Sequence, residues 1–247
     1  MRGFFAVLAT TAAGLPLLWG CGTGDGLPTT EKAGAVMVSV EPGEYYRHRL
    51  KVAPLIHVRN PPQMAVWVED SDGTFLETLY VSHRTAHQDW RRAPGDDAVP
   101  GEIRRPEALP VWSHRSGADS AAPPDGMSGA TPKGSYRVAG GERAAVVVFL
   151  EVNHSTDFNA AYPPDARRGA ANYSGGPWGS GQPSLVYRAR LDPSESGSPV
   201  ELELAGRGSP DGGDGELHGD LSGITTARSI LQAVRAEFAA GSVDSQA

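Results

Sequence analysis

The chain has 247 residues, a formal net charge of −7 and a single cysteine, Cys21. A mildly acidic chain without a basic stripe argues against nucleic acid as a partner. One cysteine excludes an internal disulfide framework, so the fold must be held by burial of apolar surface, and the length allows one large domain or two small ones.

Residues 1–20 have the pattern of an export signal. One positive charge, Arg2, precedes an uncharged apolar stretch that ends at Leu18. This stretch is too short to span a bilayer comfortably, which favours a cleaved signal over a transmembrane helix. The end of the signal, Leu18-Trp19-Gly20-Cys21, resembles the bacterial lipobox, which implies lipid attachment at Cys21. The alternative is an ordinary secretory signal with a chance cysteine.

Residues 22–34 carry almost no bulky apolar side chains and are predicted to form a flexible tether. We expect one folded domain over 35–240 and a disordered tail over 241–247. With the lipid on Cys21, this organisation predicts an extracytoplasmic protein that is anchored to the bacterial membrane.

The folded part begins with β-rich segments. Residues 36–40 alternate in the manner of a half-buried strand, and 55–59 form a second predicted strand. Two further runs, 64–69 and 74–81, flank a short polar turn in which Gly73 can adopt a positive φ. This pattern predicts a β-hairpin.

The segment 83–133 is rich in Pro, Gly, Arg and Asp, and it is predicted to be a long loop that is functional or folded back on the domain. Its expected apolar anchors are Trp90, Leu109, Val111 and Trp112. His83 and His87 would share one face of a helix and could bind a metal there. Because no apolar stripe would dock such a helix, solvated loop histidines are favoured and no metal is predicted.

The stretch Asp125-Gly126-Met127-Ser128-Gly129-Ala130-Thr131 resembles the acceptor motif of extracytoplasmic flavoproteins, in which a flavin transferase joins FMN to the last threonine through a phosphoester. The resemblance implies attachment at Thr131 and assigns Asp125 as the leading acid. The small residues between them are Ser128, Gly129 and Ala130. Pro132 departs from the motif and stiffens the backbone. A plain turn into the next strand is the alternative.

A strand pair is predicted at 135–139 and 144–152, joined at Gly140-Gly141. The second strand is almost continuously apolar, so it should be central and covered on both faces. The polar and aromatic loop 154–183 follows. Candidate ligand-binding groups at this end of the sandwich are Asn153, His154, Asp157 and Trp178. Alternatively, the polar groups satisfy one another and the loop backbone.

Two more strands are predicted at 184–191 and 200–205, followed by a glycine-rich turn at 207–219. The carboxylates between Asp211 and Glu216 in this turn could hold a hard cation such as calcium, or they could belong to an ordinary solvated turn.

Apolar residues at three- and four-residue spacing then predict one C-terminal α-helix, which Ser222 or Thr225 would cap. These apolar positions are Ile224, Ala227, Leu231, Val234 and Phe238. Seven or eight short strands with one helix predict a mainly β fold, an antiparallel and immunoglobulin-like β-sandwich with long loops.

Several short motifs of the chain resemble motifs found in one protein family. They include Trp67-Val68-Glu69-Asp70, the run 105–112, Ser128-Gly129-Ala130-Thr131-Pro132 and the run 181–187. Over roughly residues 36–230 the chain resembles predicted periplasmic proteins of unknown function that are encoded beside flavin transferases and PepSY-type membrane proteins. The resemblance implies an extracytoplasmic sandwich in a redox or metal-uptake system, a membrane-embedded redox or PepSY-type partner, and no established catalytic residues.

The sequence contains no Gly-x-Ser-x-Gly elbow, His-Glu-x-x-His pair or glycine-rich phosphate loop, so an enzyme hypothesis lacks a nucleophile. The first hypothesis is therefore a membrane-tethered, non-enzymatic binding or accessory module. The second is an electron carrier with FMN on Thr131. The third is a secreted hydrolase that uses loop carboxylates such as Glu151 and Asp157.

Overall fold

The computed structural model describes residues 35–53, 56–88, 90, 104–118, 127–129, 136–142 and 144–239. The predicted signal, Cys21, the tether and the tail lie outside the described residues. The same holds for Asp125, Ala130 and Thr131 of the flavin-acceptor motif. In the part of the chain that is described, no helix has the length and apolar character needed to cross a membrane.

The described residues form twelve strands and two short α-helices. In chain order they are β1 (Ala35–Pro42), β2 (His48–Ala53), β3 (Ile56–Asn60), β4 (Gln63–Glu69), β5 (Phe75–Ser82), α1 (His83–His87), α2 (Pro110–Ser116), β6 (Met127–Gly129), β7 (Tyr136–Glu142), β8 (Val146–Asn153), β9 (Leu185–Leu191), β10 (Val200–Glu201), β11 (Glu203–Arg207) and β12 (Leu231–Phe238).

These strands build two packed sheets and a separate hairpin. The smaller sheet has the order β10-β12-β1-β7 and the larger has the order β11-β9-β8-β4-β5-β6, while β2 pairs with β3. The pairings are antiparallel except for that of β5 with β6, which is parallel. The predicted mainly β sandwich is therefore confirmed, and its immunoglobulin-like subclass stays a prediction.

The main core lies between the two sheets because alternate residues of each strand point to the same side. From β1 it takes Val36, Val38 and Val40, all fully buried, and from β8 it takes Val148, Leu150 and Val152. The intervening β8 residue Phe149 belongs to a second cluster on the opposite face. The prediction that β8 is central and covered on both faces is thus confirmed.

The predicted hairpin is also confirmed. β4 and β5 pair antiparallel, with Ala65 opposite Val81, and Gly73 adopts φ +84° in the connecting turn. Asp70 stabilises this turn because its Oδ1 accepts hydrogen bonds from the backbone N–H groups of Asp72 (2.9 Å) and Thr74 (2.8 Å).

The expected pairing of 135–139 with 144–152 is wrong. β7 pairs with β1 in the smaller sheet, whereas β8 pairs with β4 and β9 in the larger one. Gly140 and Gly141 lie inside β7 and do not form a hairpin turn. The chain therefore crosses between sheets at this point, a connection that local turn signals do not distinguish from a hairpin.

The predicted C-terminal helix is wrong as well. A 3-10 turn, Thr226–Ser229, is followed by β12, which pairs with β1 along its length from Pro42↔Leu231 to Val36↔Phe238. Val234, Ala236 and Phe238 are buried at alternate positions. Val234 and Phe238 fit both the helical and the strand period, whereas Leu231 fits the strand only through the register shift at its end, and the long antiparallel pairing with β1 selects the strand.

The predicted loop 83–133 contains the short elements α1, α2 and β6, and its residues 104–118 fold back on the domain, as one of the two expectations for this segment had it. Its expected anchors are buried, at 6% exposure for Trp90, 1% for Leu109 and Trp112, and 0% for Val111. Residues 104–118, which we call the outer layer, pack on the face of the larger sheet that points away from the main core. The resulting second cluster is Ala65, Trp67, Val81, Leu109, Val111, Trp112, Phe149 and Val186.

Candidate functional site

The start of α2 rests on the buried carboxyl group of Glu151. Pro110, its first residue, has no N–H, and Leu109 before it has no side chain that can cap a helix. Glu151 accepts hydrogen bonds from Val111 N (3.2 Å) and Trp112 N (2.7 Å), so a strand of the larger sheet supplies the cap.

Glu151 is fully buried, and its Oε1 also accepts a hydrogen bond from Ser184 Oγ at 2.5 Å. Burial raises the pKa of the Glu151 carboxyl to about 7, although these hydrogen bonds act in the opposite direction. The loss of hydration therefore outweighs three donors, because they do not replace bulk water around a full negative charge.

A second buried carboxyl group, Glu107, lies within the outer layer. It is 2% exposed, and its Oε1 has no hydrogen-bond partner among the described residues. Burial raises the pKa of Glu107 to about 7, with opposing contributions from Arg105, which lowers it, and Asp211, which raises it. Sequence reasoning missed Glu107, because one Glu in a Pro-rich loop carries no pattern that reports burial.

Arg105 connects the outer layer with Trp90 and Ser155, which lie outside it. Its guanidinium lies 4.3 Å from the centre of the Trp90 ring and donates to Ser155 Oγ at 3.0 Å. Burial lowers the pKa of Arg105 to about 10, so this group remains a cation at neutral pH.

The other end of α2 is held by an ion pair between the half-buried Arg115 and the buried Glu69. Arg115 Nη1 donates to Glu69 Oε1 at 2.7 Å, and the same oxygen accepts a hydrogen bond from Trp67 Nε1 at 2.8 Å. The Arg115 guanidinium also lies 5.2 Å from the centre of the Phe149 ring, which stacks on Trp67. Both ends of α2 are thus fixed by carboxyl groups of the larger sheet.

The glycine-rich turn 208–215 packs directly against the outer layer. A Cβ at Gly212, where φ is +75°, would lie 2.3 Å from the Pro106 carbonyl carbon. A Cβ at Gly215 would lie 2.3 Å from His114 Cβ. The glycines therefore permit a close approach of two backbones, a role that the sequence alone did not suggest.

The carboxylates in this turn form contacts with other residues of the same segment, 207–219. Asp211 Oδ1 accepts hydrogen bonds from Ser209 Oγ (2.9 Å) and Gly213 N (3.0 Å), and Asp214 Oδ1 lies 2.9 Å from His218 Nε2. Within the described ranges, no group of three or more His, Cys, Asp or Glu side chains is arranged to hold a metal ion.

The predicted ligand-binding groups meet at one end of the sandwich, where they are buried. Asn153 Nδ2 donates to the Gln182 carbonyl oxygen at 3.0 Å, and His154 Nε2 lies 2.9 Å from the Tyr45 carbonyl oxygen. Asn153, His154 and Asp157 are 2%, 3% and 4% exposed, and Trp178 is half-buried at the end of the 3-10 turn Gly176–Trp178. The structure therefore brings these polar groups together in contacts with the protein itself.

Gln182 and Thr226, which the sequence analysis did not identify as site residues, complete the network at this end of the sandwich. Asp157 Oδ1 accepts a hydrogen bond from Thr226 Oγ1 at 2.7 Å. Gln182 donates to the same hydroxyl oxygen and accepts from Thr225 N at 2.6 Å. We call this network the closed end; its members are Asn153, His154, Asp157, Gln182, Thr225 and Thr226. No sequence motif connects Gln182 with Thr226, since only the fold brings them together.

The described residues of the flavin-acceptor motif lie at a sheet edge. Ser128 and Gly129 belong to β6, which pairs with β5 at the end of the larger sheet, and the Gly129 carbonyl oxygen accepts a hydrogen bond from Tyr80 Oη at 3.2 Å. The expectation of loop histidines is wrong, because His83 and His87 lie on α1 with ring centres 4.3 Å apart.

A cleft of about 600 Å³ opens at the opposite edge of the larger sheet. Its lining is Val147, Arg188, Ala189, Arg190, Val200, Glu201, Glu203, Leu204 and Ala205. Arg188 and Arg190 are exposed and alternate with the buried Ala189, so both point to the outer side of β9. The sequence analysis did not identify the arginines Arg188 and Arg190 or the glutamates Glu201 and Glu203 as a site.

The arrangement thus offers an accessible charged cleft and two buried carboxyl groups that substrates do not reach. Comparison with protein-family models, with curated proteins and with solved structures gives no match.

Proposed function

We propose that this chain is a membrane-tethered extracytoplasmic lipoprotein, anchored through Cys21, that acts as a non-enzymatic binding module. The observation that carries the proposal is the cleft beside β9 and β11, where exposed arginine and glutamate side chains line one concave surface. The flexible tether would let this surface meet ligands or a membrane-embedded redox or PepSY-type partner a short distance from the bilayer.

The burial of the carboxyl groups argues against the hydrolase hypothesis. A general acid or base at neutral pH needs a pKa near 7 and direct access to substrate. Glu107 and Glu151 have pKa values raised to about 7, but they are 2% and 0% exposed. Asp157, at 4% exposure, hydrogen-bonds to Thr226 inside the closed end.

The charges of the cleft favour a zwitterionic, peptide-like ligand. Arg188 and Arg190 stand two residues apart on one strand, about 7 Å between Cα atoms, and guanidinium groups bind carboxylates in a bidentate manner. Glu201 and Glu203 line the same cleft. Because Glu201 Oε2 lies 3.6 Å from Arg235 Nη2, Glu203 is the carboxylate that would accept an ammonium group. The apolar lining includes Val147, Val200 and Leu204, and the volume of about 600 Å³ suits a small ligand.

The proposal can be tested with three small probes. Trialanine carries both end charges, N-acetyl-trialanine carries only the carboxylate, and trialanine amide carries only the ammonium group. We expect amide shifts of β9 and β11 in NMR titrations, with the tightest binding for trialanine. The proposal fails if none of the probes shifts these residues.

Arginine variants locate the carboxylate. Arg188→Ala should weaken trialanine binding about fivefold, as expected for an exposed ion pair worth up to about 1 kcal/mol. Arg167→Ala, which removes an exposed arginine from the loop 154–183, serves as the matched control and should bind like the parent protein. Equal loss in both variants would indicate a general charge effect instead of a site.

The alternative function is a covalent FMN electron carrier with the flavin on Thr131. The motif 125–131 favours it, and its described residues Ser128 and Gly129 belong to β6, the edge strand of the larger sheet. Thr131 itself lies outside the described residues. Co-expression with a flavin transferase and intact-mass analysis should then give an FMN adduct that Thr131→Ala abolishes. An unmodified mass, or an adduct that persists in this variant, refutes the alternative.

A further inference from the structure

Three carboxyl groups are buried in or beneath the outer layer: Glu69, which pairs with Arg115 of α2, and the two groups Glu107 and Glu151. Glu107 belongs to the layer, and Glu151 belongs to β8 beneath the start of α2. Placing an ionised carboxylate in such surroundings costs several kcal/mol unless it is well paired. Glu107 Oε1 has no hydrogen-bond partner among the described residues, so a negative charge on this carboxyl would be poorly compensated while the layer is docked.

We infer that the outer layer is a pH-responsive cover, which is docked on the larger sheet while Glu107 and Glu151 are protonated and opens more readily once they ionise. Opening would uncover the aromatic face formed by Trp67 and Phe149, on which Trp112 packs. This inference is independent of ligand binding in the cleft, which is lined by β8 to β11.

The direction of the pH effect follows from the two protonation equilibria. In the docked state, burial raises both pKa values from 4.5 to about 7. Below pH 4.5 both carboxyls are protonated whether the layer is docked or open, and docking is at its strongest. Between pH 4.5 and 7 the open state loses its protons first, so docking weakens as the pH rises and then levels off.

Charged neighbours modify this effect without reversing it. Arg105 in the layer stabilises ionised Glu107, whereas Asp211 from the glycine-rich turn disfavours it. Arg115 on α2 stabilises ionised Glu151. In both carboxyls the loss of hydration remains the largest contribution.

Two histidines lie at the same contact. His114 Nε2 lies 3.2 Å from the Gly212 carbonyl oxygen, and His218 Nε2 lies 2.9 Å from Asp214 Oδ1. A test must therefore remove a carboxyl group and leave the histidines in place.

Hydrogen exchange of the full chain, corrected for the intrinsic pH dependence of exchange, provides that test. From pH 5 to pH 8 the protection of amides in 104–118 should fall roughly 10- to 100-fold for each carboxyl that titrates. The layer should also exchange faster than β4 at pH 8, since the cover opens without unfolding the sandwich. The inference is overturned if its protection is the same at both pH values or always equals that of β4.

Glu107→Gln isolates one carboxyl, because glutamine has nearly the same shape and cannot ionise. Between pH 5 and pH 8, the protection of amides 104–118 should fall less in this variant than in the parent protein, by a factor of about ten or more. Glu195→Gln, at an exposed position, should keep the full effect. A full effect in Glu107→Gln overturns the assignment of Glu107.

Carbon-13 NMR of the glutamate carboxyls in the parent protein gives a second measurement that does not depend on folding of a variant. Two carboxyls should titrate near pH 7. If all of them titrate below pH 5, the inference is wrong.

Discussion

The closed end and the outer layer both bury polar side chains, but most of these side chains differ in charge. At the closed end, the neutral amides of Asn153 and Gln182 hydrogen-bond to backbone and hydroxyl groups, and Asn153 Oδ1 has no hydrogen-bond partner among the described residues. The closed end also contains one buried carboxyl, Asp157, which accepts a hydrogen bond from Thr226 Oγ1. In the outer layer Glu107 likewise leaves one oxygen without a partner among the described residues, but this group is a carboxyl that can ionise.

This difference separates two kinds of dependence on solution conditions. A neutral amide that is hydrogen-bonded contributes the same free energy at any pH, whereas a buried carboxyl contributes less as soon as the unfolded state can ionise. The amide contacts of Gln182 with Thr225 and Thr226 should therefore contribute equally at any pH, whereas the contribution of Glu107 and Glu151 to the outer layer should vary with pH.

The largest expected effect on the free energy of unfolding comes from a tryptophan of the outer layer, which is compared with one in the loop 154–183. Trp112→Ala should lower the free energy of unfolding by about 3–5 kcal/mol, because it removes a buried ring from the second cluster. It also removes the hydrogen bond from Trp112 Nε1 to Thr78 Oγ1 (3.0 Å). Trp178→Ala, at a half-buried ring, should cost distinctly less in the same urea titrations. Equal costs would show that the outer layer is no more firmly packed than the 3-10 turn Gly176–Trp178 of the loop 154–183.

The second-largest expected effect is the pH dependence of the free energy of unfolding, which should come from Glu107 and Glu151 beneath or within the outer layer. From pH 5 to pH 8 the parent protein should lose roughly 2–3 kcal/mol per buried carboxyl, since the unfolded chain ionises first. Glu151→Gln should remove one such share, while lowering stability at pH 5 because its amide group would face a backbone N–H of α2. Urea titrations at both pH values measure this, and a slope equal to that of the parent protein contradicts it.

A smaller effect is expected where the glycine-rich turn meets the outer layer. Gly212→Ala should cost about 2 kcal/mol, because it combines a positive φ with a Cβ 2.3 Å from the Pro106 carbonyl carbon. Gly73→Ala has a similar φ of +84°, but its Cβ would meet no described atom within 4 Å, so it should cost only about 1 kcal/mol. Thermal unfolding of the two variants compares them, and equal losses would mean that the close approach contributes nothing.

Much of the sandwich could be predicted from local patterns. The alternation of Val36, Val38 and Val40, and the turn at Gly73, report strand and hairpin directly because each depends on neighbours in sequence. The error at β12 has a physical cause: Val234 and Phe238 fit a helical face as well as a strand face, Leu231 departs from the strand period at a register shift, and only the pairing with β1 decides.

The buried sites were much less predictable. Glu151 stood out as an acid that follows a buried strand, but its function as a cap for α2 depends on Val111 and Trp112, which are about forty positions earlier. Glu107 gave no signal, since burial of an isolated acid depends on which surface the Pro-rich segment covers. Asn153 and Asp157 were recognised as a cluster, although their partners Gln182 and Thr226 were not.

The smallest effect should come from the closed end itself. Gln182→Ala removes acceptor and donor contacts to Thr225 and Thr226, and should lower the free energy of unfolding by about 1–2 kcal/mol. Because an amide carries no charge, the loss should be the same at pH 5 and pH 8, in contrast to that of Glu151→Gln. Urea titrations at the two pH values make the comparison on the same samples. A loss that grows with pH would mean that the closed end is also coupled to a titrating group, and Asp157, which shares the Thr226 hydroxyl with Gln182, would then be the group to replace.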